Sequence, residues 1–227
     1  MREANHKKNA RIVGILYILG TVAGIISVPF LSIQNTPDYL TEIGKNPMQL
    51  QTGALLLLAM GFSLALIPAF AFPTLKKYNE PLGIAYIIFR GALETGAIVL
   101  HAVFLLLLSS LGAGYAAGTV QSPGTLYALG ELLKNGAALP ITKFAFELGA
   151  LLFYTALFQY RLLPKWISLW GILAILLHIA AGILVLLGLQ KDMDTASLVM
   201  NLPIAVQEMV MAVWLVAKGF NTGEQSP

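Results

Sequence analysis

FRGALETGAIVLH, residues 89–101, lies inside a long apolar segment and yet carries Arg90, Glu94 and His101. An ionisable side chain at bilayer depth costs several kcal/mol unless it is paired or faces a polar interior. Arg90 and Glu94 are four apart, so on an α-helix they share one face, and His101, seven beyond Glu94, falls on the same stripe. Other apolar segments of the chain carry Lys143, Glu147, His178 and Glu208 in similar settings. The pattern predicts an all-α fold, a polytopic bundle of transmembrane helices organised around a buried charged core.

Composition supports that class. Of 227 residues, 57% are hydrophobic and only 11% charged, with a mean hydropathy of +0.77. Soluble domains carry about 25% charged residues. The chain has no cysteine, which excludes disulfides, thiolate metal sites, iron–sulfur clusters and a cysteine nucleophile. The net charge of +3 comes with no basic stripe of the kind that binds nucleic acid. It reads instead as lysines and arginines gathered in loops on one side of a membrane. The apolar run that follows MREANHKKNAR, about 20 residues long, exceeds a signal-peptide core and reads as an uncleaved first span.

Six segments reach the ~20 residues a bilayer requires. They cover 11–33, 47–75, 81–111, 138–160, 166–189 and 198–218, within one integral-membrane domain over 1–227. Asn46 caps the second and Pro47 opens it; Pro68 is placed to kink it, and Pro203 to bend or start the sixth. Six spans put both termini on one side. That side collects Arg2, Lys7, Lys8, Arg11, Lys76, Lys77, Arg161, Lys165 and Lys218, against Lys45, Lys134 and Lys191 on the other. Under the positive-inside rule both termini are cytoplasmic, and Trp166, Trp170 and Trp214 lie near that interface. Between spans, Thr36-Pro37 starts a short turn running to Gly44. Ser122-Pro123 caps a helix with Leu126, Leu129 and Leu133 on one side and Glu131 and Lys134 on the other, either an interfacial amphipathic helix or a plain connector. Gly20-x3-Gly24 and Ala92-x3-Gly96 permit close helix approach, within the chain or, in a homo-oligomer, between copies.

A rise of 1.5 Å per residue converts position into depth from the cytoplasmic side. Arg90 then lies at about 12 Å, Glu208 at ~14 Å, Glu94 and His178 at ~18 Å, Glu147 at ~20 Å, Lys143 at ~26 Å and His101 at ~28 Å. Glu94, Glu147 and His178 share a middle layer, Arg90 and Glu208 the layer below, and Lys143 and His101 the layer above. Two basic groups against three carboxylates leave this core one negative charge in excess. A proton on His178, a protonated carboxyl or a bound cation would balance it. Gln207, Asn201, Thr142, Thr95 and Tyr86 are placed to complete the hydrogen bonding. Arg90, Glu94, Lys143, Glu147, His178, Gln207 and Glu208 are therefore the candidate ligand- or ion-binding residues, for a small solute, a proton or a cation. A structural reading stands beside this one, in which Arg90–Glu208 and Lys143 with Glu94 or Glu147 clamp helices together. An intramembrane metal enzyme would rest on His178, Glu94 and Glu147. No catalytic residue, metal site or cofactor is specified, and no phosphate loop or nucleophile motif is present.

One pattern occurs twice. RGALETGA at 90–97 and KFAFELGA at 143–150 both read basic-x3-Glu-x-Gly-Ala, on neighbouring antiparallel spans, which an inverted three-span repeat would not produce.

Four stretches carry a family resemblance: ARIVGILYILGTVAGI (10–25), PTLKKYNEPLGIAYIIFRGALE (73–94), FELGALLFYTALFQYRLLPKWISLWG (146–171) and LPIAVQEMVMAVWLVAKGF (202–220). The last two set charges, prolines and tryptophans in a fixed order. On them the chain resembles a bacterial and archaeal multi-pass family catalogued as domain of unknown function 4386. The resemblance spans nearly the whole chain and implies six or seven membrane helices. It implies no activity, cofactor or site residue.

Overall fold

The computed structural model describes residues 2–118, 122–134, 138–190 and 195–221, and among them there is no strand. The α-helices run α1 Arg2–Leu31, α2 Tyr39–Lys45, α3 Pro47–Leu75, α4 Glu80–Tyr86, α5 Thr95–Ala116, α6 Pro123–Lys134, α7 Ala138–Gln159, α8 Lys165–Leu186 and α9 Thr195–Ala217. A 3-10 turn at Ser32–Asn35 follows α1, and a π-helical segment, Ile87–Glu94, joins α4 to α5.

Six helices are long and apolar enough to cross a membrane: His6–Asn35, Pro47–Leu75, Glu80–Ala116, Pro140–Gln159, Lys165–Leu186 and Thr195–Ala217. They match the six expected segments, with boundaries that shift for identifiable reasons. The third span continues to Ala116, five residues past the expected end. Gly112 does not stop the helix; a side chain there would lie 2.7 Å from Ile43 Cγ2, so the glycine lets α2 approach α5. The helix ends instead before Gly118, whose φ of 65° is left-handed. The fifth span stops at Leu186, not at 189. Gly188 takes a φ of 70°, its N–H bonds Val185 O, and Leu189 N–H bonds Leu184 O, which is a Schellman stop. Pro203 lies inside α9 and does not start it, and α3 runs on through Pro68 and Pro73. Asn46 closes α2, donating its N–H to Glu42 O, and Pro47 opens α3. Asn79 caps α4 by accepting from Leu82 N–H at 3.0 Å. The expected outer loop residue Lys191 and the tail beyond 221 lie outside the described residues.

The spans invert the burial of a water-soluble protein. Ile25 is 66% exposed, Leu173 59% and Val213 61%, while Arg90, Glu94, Glu147 and Gln207 are buried. Large aliphatic side chains facing outward and charges facing inward suit a hydrocarbon solvent. The chain is a multi-pass membrane protein.

Two compact units divide it. The first comprises Met1–Ile18, Leu64–Leu93 and Lys143–Pro227; the second comprises Leu19–Ser63 and Glu94–Thr142. In the first, α8 packs on α9. His6 Nδ1 meets Thr74 Oγ1 at 3.2 Å, and Asn221 N–H reaches Leu162 O at 2.8 Å, tying down the start and the end of the described chain. In the second, α2 and α6 both pack on α5. Tyr39 of α2 is buried and donates to Tyr127 O at 3.1 Å, and Lys134 Nζ sits 4.5 Å over its ring. The expected faces of α6 are thereby changed. Leu126 and Gly130 are buried and Lys134 folds back onto Tyr39, while Leu129 and Leu132 point outward at 44% and 71% exposure. Tyr39 attracts the lysine because a ring face binds a cation.

Candidate functional site

The first unit brings together five of the seven expected residues in one row. Arg90, on the π-helical segment, directs Nη2 at Glu208 Oε1 of α9 at 3.4 Å. Glu208 also accepts from the Tyr154 hydroxyl of α7 at 3.4 Å. His178 of α8 lies within electrostatic reach of Glu208 and sets Nδ1 3.0 Å from Glu147 Oε1 of α7. A Cβ added at Gly182 would meet Glu147 Oε1 at 3.1 Å and Lys143 Cε at 3.3 Å, so the Lys143 chain and the Glu147 carboxylate converge over that glycine. The order is Arg90, Glu208, His178, Glu147, Lys143.

Sequence depth foresaw Arg90 with Glu208 and Glu147 with His178. Glu94 is buried and, with the part-buried His101, is counted in the second unit. Arg90, Lys143, Glu147 and Glu208 give the row two basic and two acidic groups. Gln207 is fully buried, but its amide bonds the Ile167 carbonyl at 3.1 Å, on α8. Its Oε1 has no protein partner, and neither does Asn201 Oδ1. Thr95 donates to Gly61 O at 3.3 Å within the second unit.

An aromatic layer surrounds Arg90. Its guanidinium carbon lies 5.5 Å from the Tyr17 ring centroid and 4.9 Å from that of Phe146. The Tyr17 and Tyr86 hydroxyls are 3.3 Å apart, and the Tyr86 ring stacks on Phe153 at 4.6 Å. Phe146 meets His178 edge-on at 5.2 Å. Sequence reasoning missed Tyr17 and Phe146, because aromatics in apolar helices are ordinary packing residues. Phe146 does carry a weak signal, standing next to Glu147.

Close backbone contacts fix this layer. Gly149 of α7 would place a Cβ 3.2 Å from Arg90 N and 3.3 Å from Arg90 Cβ, and the Pro68 ring lies over Gly91. The two copies of the basic-x3-Glu-x-Gly-Ala pattern therefore meet at this point. They are not equivalent: residues 87–94 are π-helical and 138–159 α-helical. A Cβ on Gly171 would lie 2.7 Å from Tyr154 Cδ1 and 2.9 Å from Gln207 Nε2, so that glycine makes room for both.

No three His, Asp or Glu residues among those described gather at metal-binding range. The metal site weighed on His178, Glu94 and Glu147 is not formed among them. An open cavity of about 500 Å³ in the second unit, lined by Pro29, Phe30, Asn46, Met48, Gln49 and Thr52, contains none of the candidate residues.

No curated protein and no solved structure matches the chain. The model of the domain of unknown function DUF4386 matches residues 12–219, which include the whole charged row. The chain belongs to the DUF4386 family.

Proposed function

We propose that this DUF4386 protein is a small-solute or ion permease, or a membrane binding protein, worked through the Arg90–Glu208–His178–Glu147–Lys143 row. It lies in a prokaryotic plasma membrane with both termini in the cytoplasm, as the nine-to-three bias of basic residues supports. The observation that carries the reading is that His178 meets Glu147 at 3.0 Å in the same row as the Arg90–Glu208 pair. Imidazole is the side chain whose charge changes near neutral pH. In this reading a proton taken up at the row acts on the His178–Glu147 contact and, along the row, on the Arg90–Glu208 pair. The four members of the two ion pairs come from four different spans, so that proton weighs on contacts between helices, the kind of coupling that alternating access requires. Gln207 completes the proposed polar set.

A second reading, a non-transporting module with structural ion pairs, draws support from the packing of Arg90 between two rings and against Gly149. Flux assays on purified protein in liposomes separate the two. The permease reading expects pH- or cation-dependent flux that His178→Asn makes insensitive to pH. Absence of such flux for every solute class tried, in a protein that Glu94→Gln still destabilises, would favour the structural module.

A further inference from the structure

The members of the Arg90–Glu208 pair are not equally accessible. Arg90 is 2% exposed and Glu208 15%, so the carboxylate is the nearer of the two to the surface. Behind it stand the faces of Tyr17 and Phe146, both turned to the guanidinium. Ring faces carry negative potential. These three neighbours of the guanidinium therefore all attract positive charge.

These walls do not depend on Arg90 for their placement. Tyr17 is held by the Tyr86 hydroxyl, Tyr86 by Phe153, Glu208 by the Tyr154 hydroxyl, and Phe146 by the edge of His178. The link to Glu208 is loose. Its 3.4 Å exceeds the ~2.7–2.9 Å of a tight charge-assisted bond. Arg90 itself is carried on the π-helical turn, a geometry that is rare and concentrated at functional sites.

We propose that Tyr17, Phe146 and Glu208 form a binding site for a small guanidinium- or ammonium-type cation, and that Arg90 is its resident occupant, displaced when the solute binds. The inference rests on the reading of this row as a solute site and gives that site its chemical class. Arg90 then acts as an internal competitor: it keeps the carboxylate paired when no solute is present and sets the concentration at which solute enters.

Arg90→Ala vacates the cage and leaves its walls, so methylguanidinium should enter it. In detergent at constant ionic strength, its thermal midpoint should rise saturably with methylguanidinium. At about ten times the dissociation constant the rise should be about 3–6 °C. Urea, neutral and of similar shape, should give no such rise, and Arg90→Ala/Glu208→Gln should not respond. A flat response in Arg90→Ala, or an equal one in the double variant or with urea, overturns the inference. Arg90→Gln, closer to arginine in volume, serves where Arg90→Ala does not fold. Failure of both to yield folded protein with methylguanidinium present during extraction also overturns it. Flux without a methylguanidinium response would leave transport standing and remove the cation class; a response without flux would do the reverse.

Discussion

Replacing Gly171 with alanine tests the packing that holds the Glu208 carboxylate. In an ordinary helix interior the change is favourable by about 0.8–1.0 kcal/mol, because glycine has the greater backbone entropy to lose. Here the new methyl would lie 2.7 and 2.8 Å from Tyr154 Cδ1 and Cγ and 2.9 Å from Gln207 Nε2. Ordinary contact begins near 3.4 Å, so the ring must retreat by several tenths of an ångström. Tyr154 is fully buried and cannot swing into open space. Its hydroxyl is already 3.4 Å from Glu208, and a retreat breaks that bond. Overpacking costs about 1–3 kcal/mol and the lost hydrogen bond about 1 kcal/mol, which after the helix gain leaves a net loss of about 1–3 kcal/mol. The thermal midpoint in detergent should fall by about 2–12 °C. Gly96→Ala is the matched control: nothing lies within 4 Å of its Cβ position, so its midpoint should rise. If Gly171→Ala is as stable as the parent or more so, α7, α8 and α9 do not meet as described.

Three further outcomes follow from the same contacts. Arg90→Met should destabilise by about 3–5 kcal/mol, since it leaves a largely buried carboxylate without its counter-charge, whereas Arg90→Met/Glu208→Met should lose less than the sum of the single changes; strict additivity in thermal or denaturant unfolding would show that the pair does not couple. Tyr39 has its phenol pushed up to about 12 by burial first and then by Glu131. Its neutral form is the one folding favours, so its stabilisation, about 2–3 kcal/mol, is complete below pH ~10 and is lost as pH rises toward 12. Amide exchange in α2 and α6 should accelerate across that window, and Tyr39→Phe should remove the acceleration. Gly44→Ala should disrupt the second unit, because its Cβ would fall 2.6 Å from Gly112 O, and a normal unfolding midpoint would contradict that helix approach.

Depth arithmetic read the ion pairs correctly because a straight helix converts residue number to height with little error, and polar groups at equal height in lipid have only each other to meet. It could not assign lateral position. The convergence of Lys143 and Glu147 over Gly182 depends on helix rotation, which height leaves open. The π-helical turn was illegible for another reason: IIFRGALE has no composition that separates an i→i+5 pattern from an α-helix, and only Gly91 in mid-span hinted at an irregularity. A glycine near a helix end and a glycine under a crossing helix look alike in sequence, so the place of Gly112 beneath α2 was not legible. The outward faces of α6 were misjudged because pattern reading assigns lysine to solvent, and Lys134 instead covers the Tyr39 ring.

The charge balance bears on why the row is more than a clamp. Arg90, Lys143, Glu147 and Glu208 tie together only three spans, the third, fourth and sixth, and burying them is already expensive relative to an apolar core of the same volume. His178 brings in the fifth span with an imidazole, where a plain clamp would be served by any hydrogen-bonding side chain. His178 pairs with Glu147 in the same row as the Arg90–Glu208 contact. On the proposed reading of this row as a solute site, solute binding at Glu208 and proton uptake at the row are coupled, and by linkage each alters the affinity for the other by an equal factor.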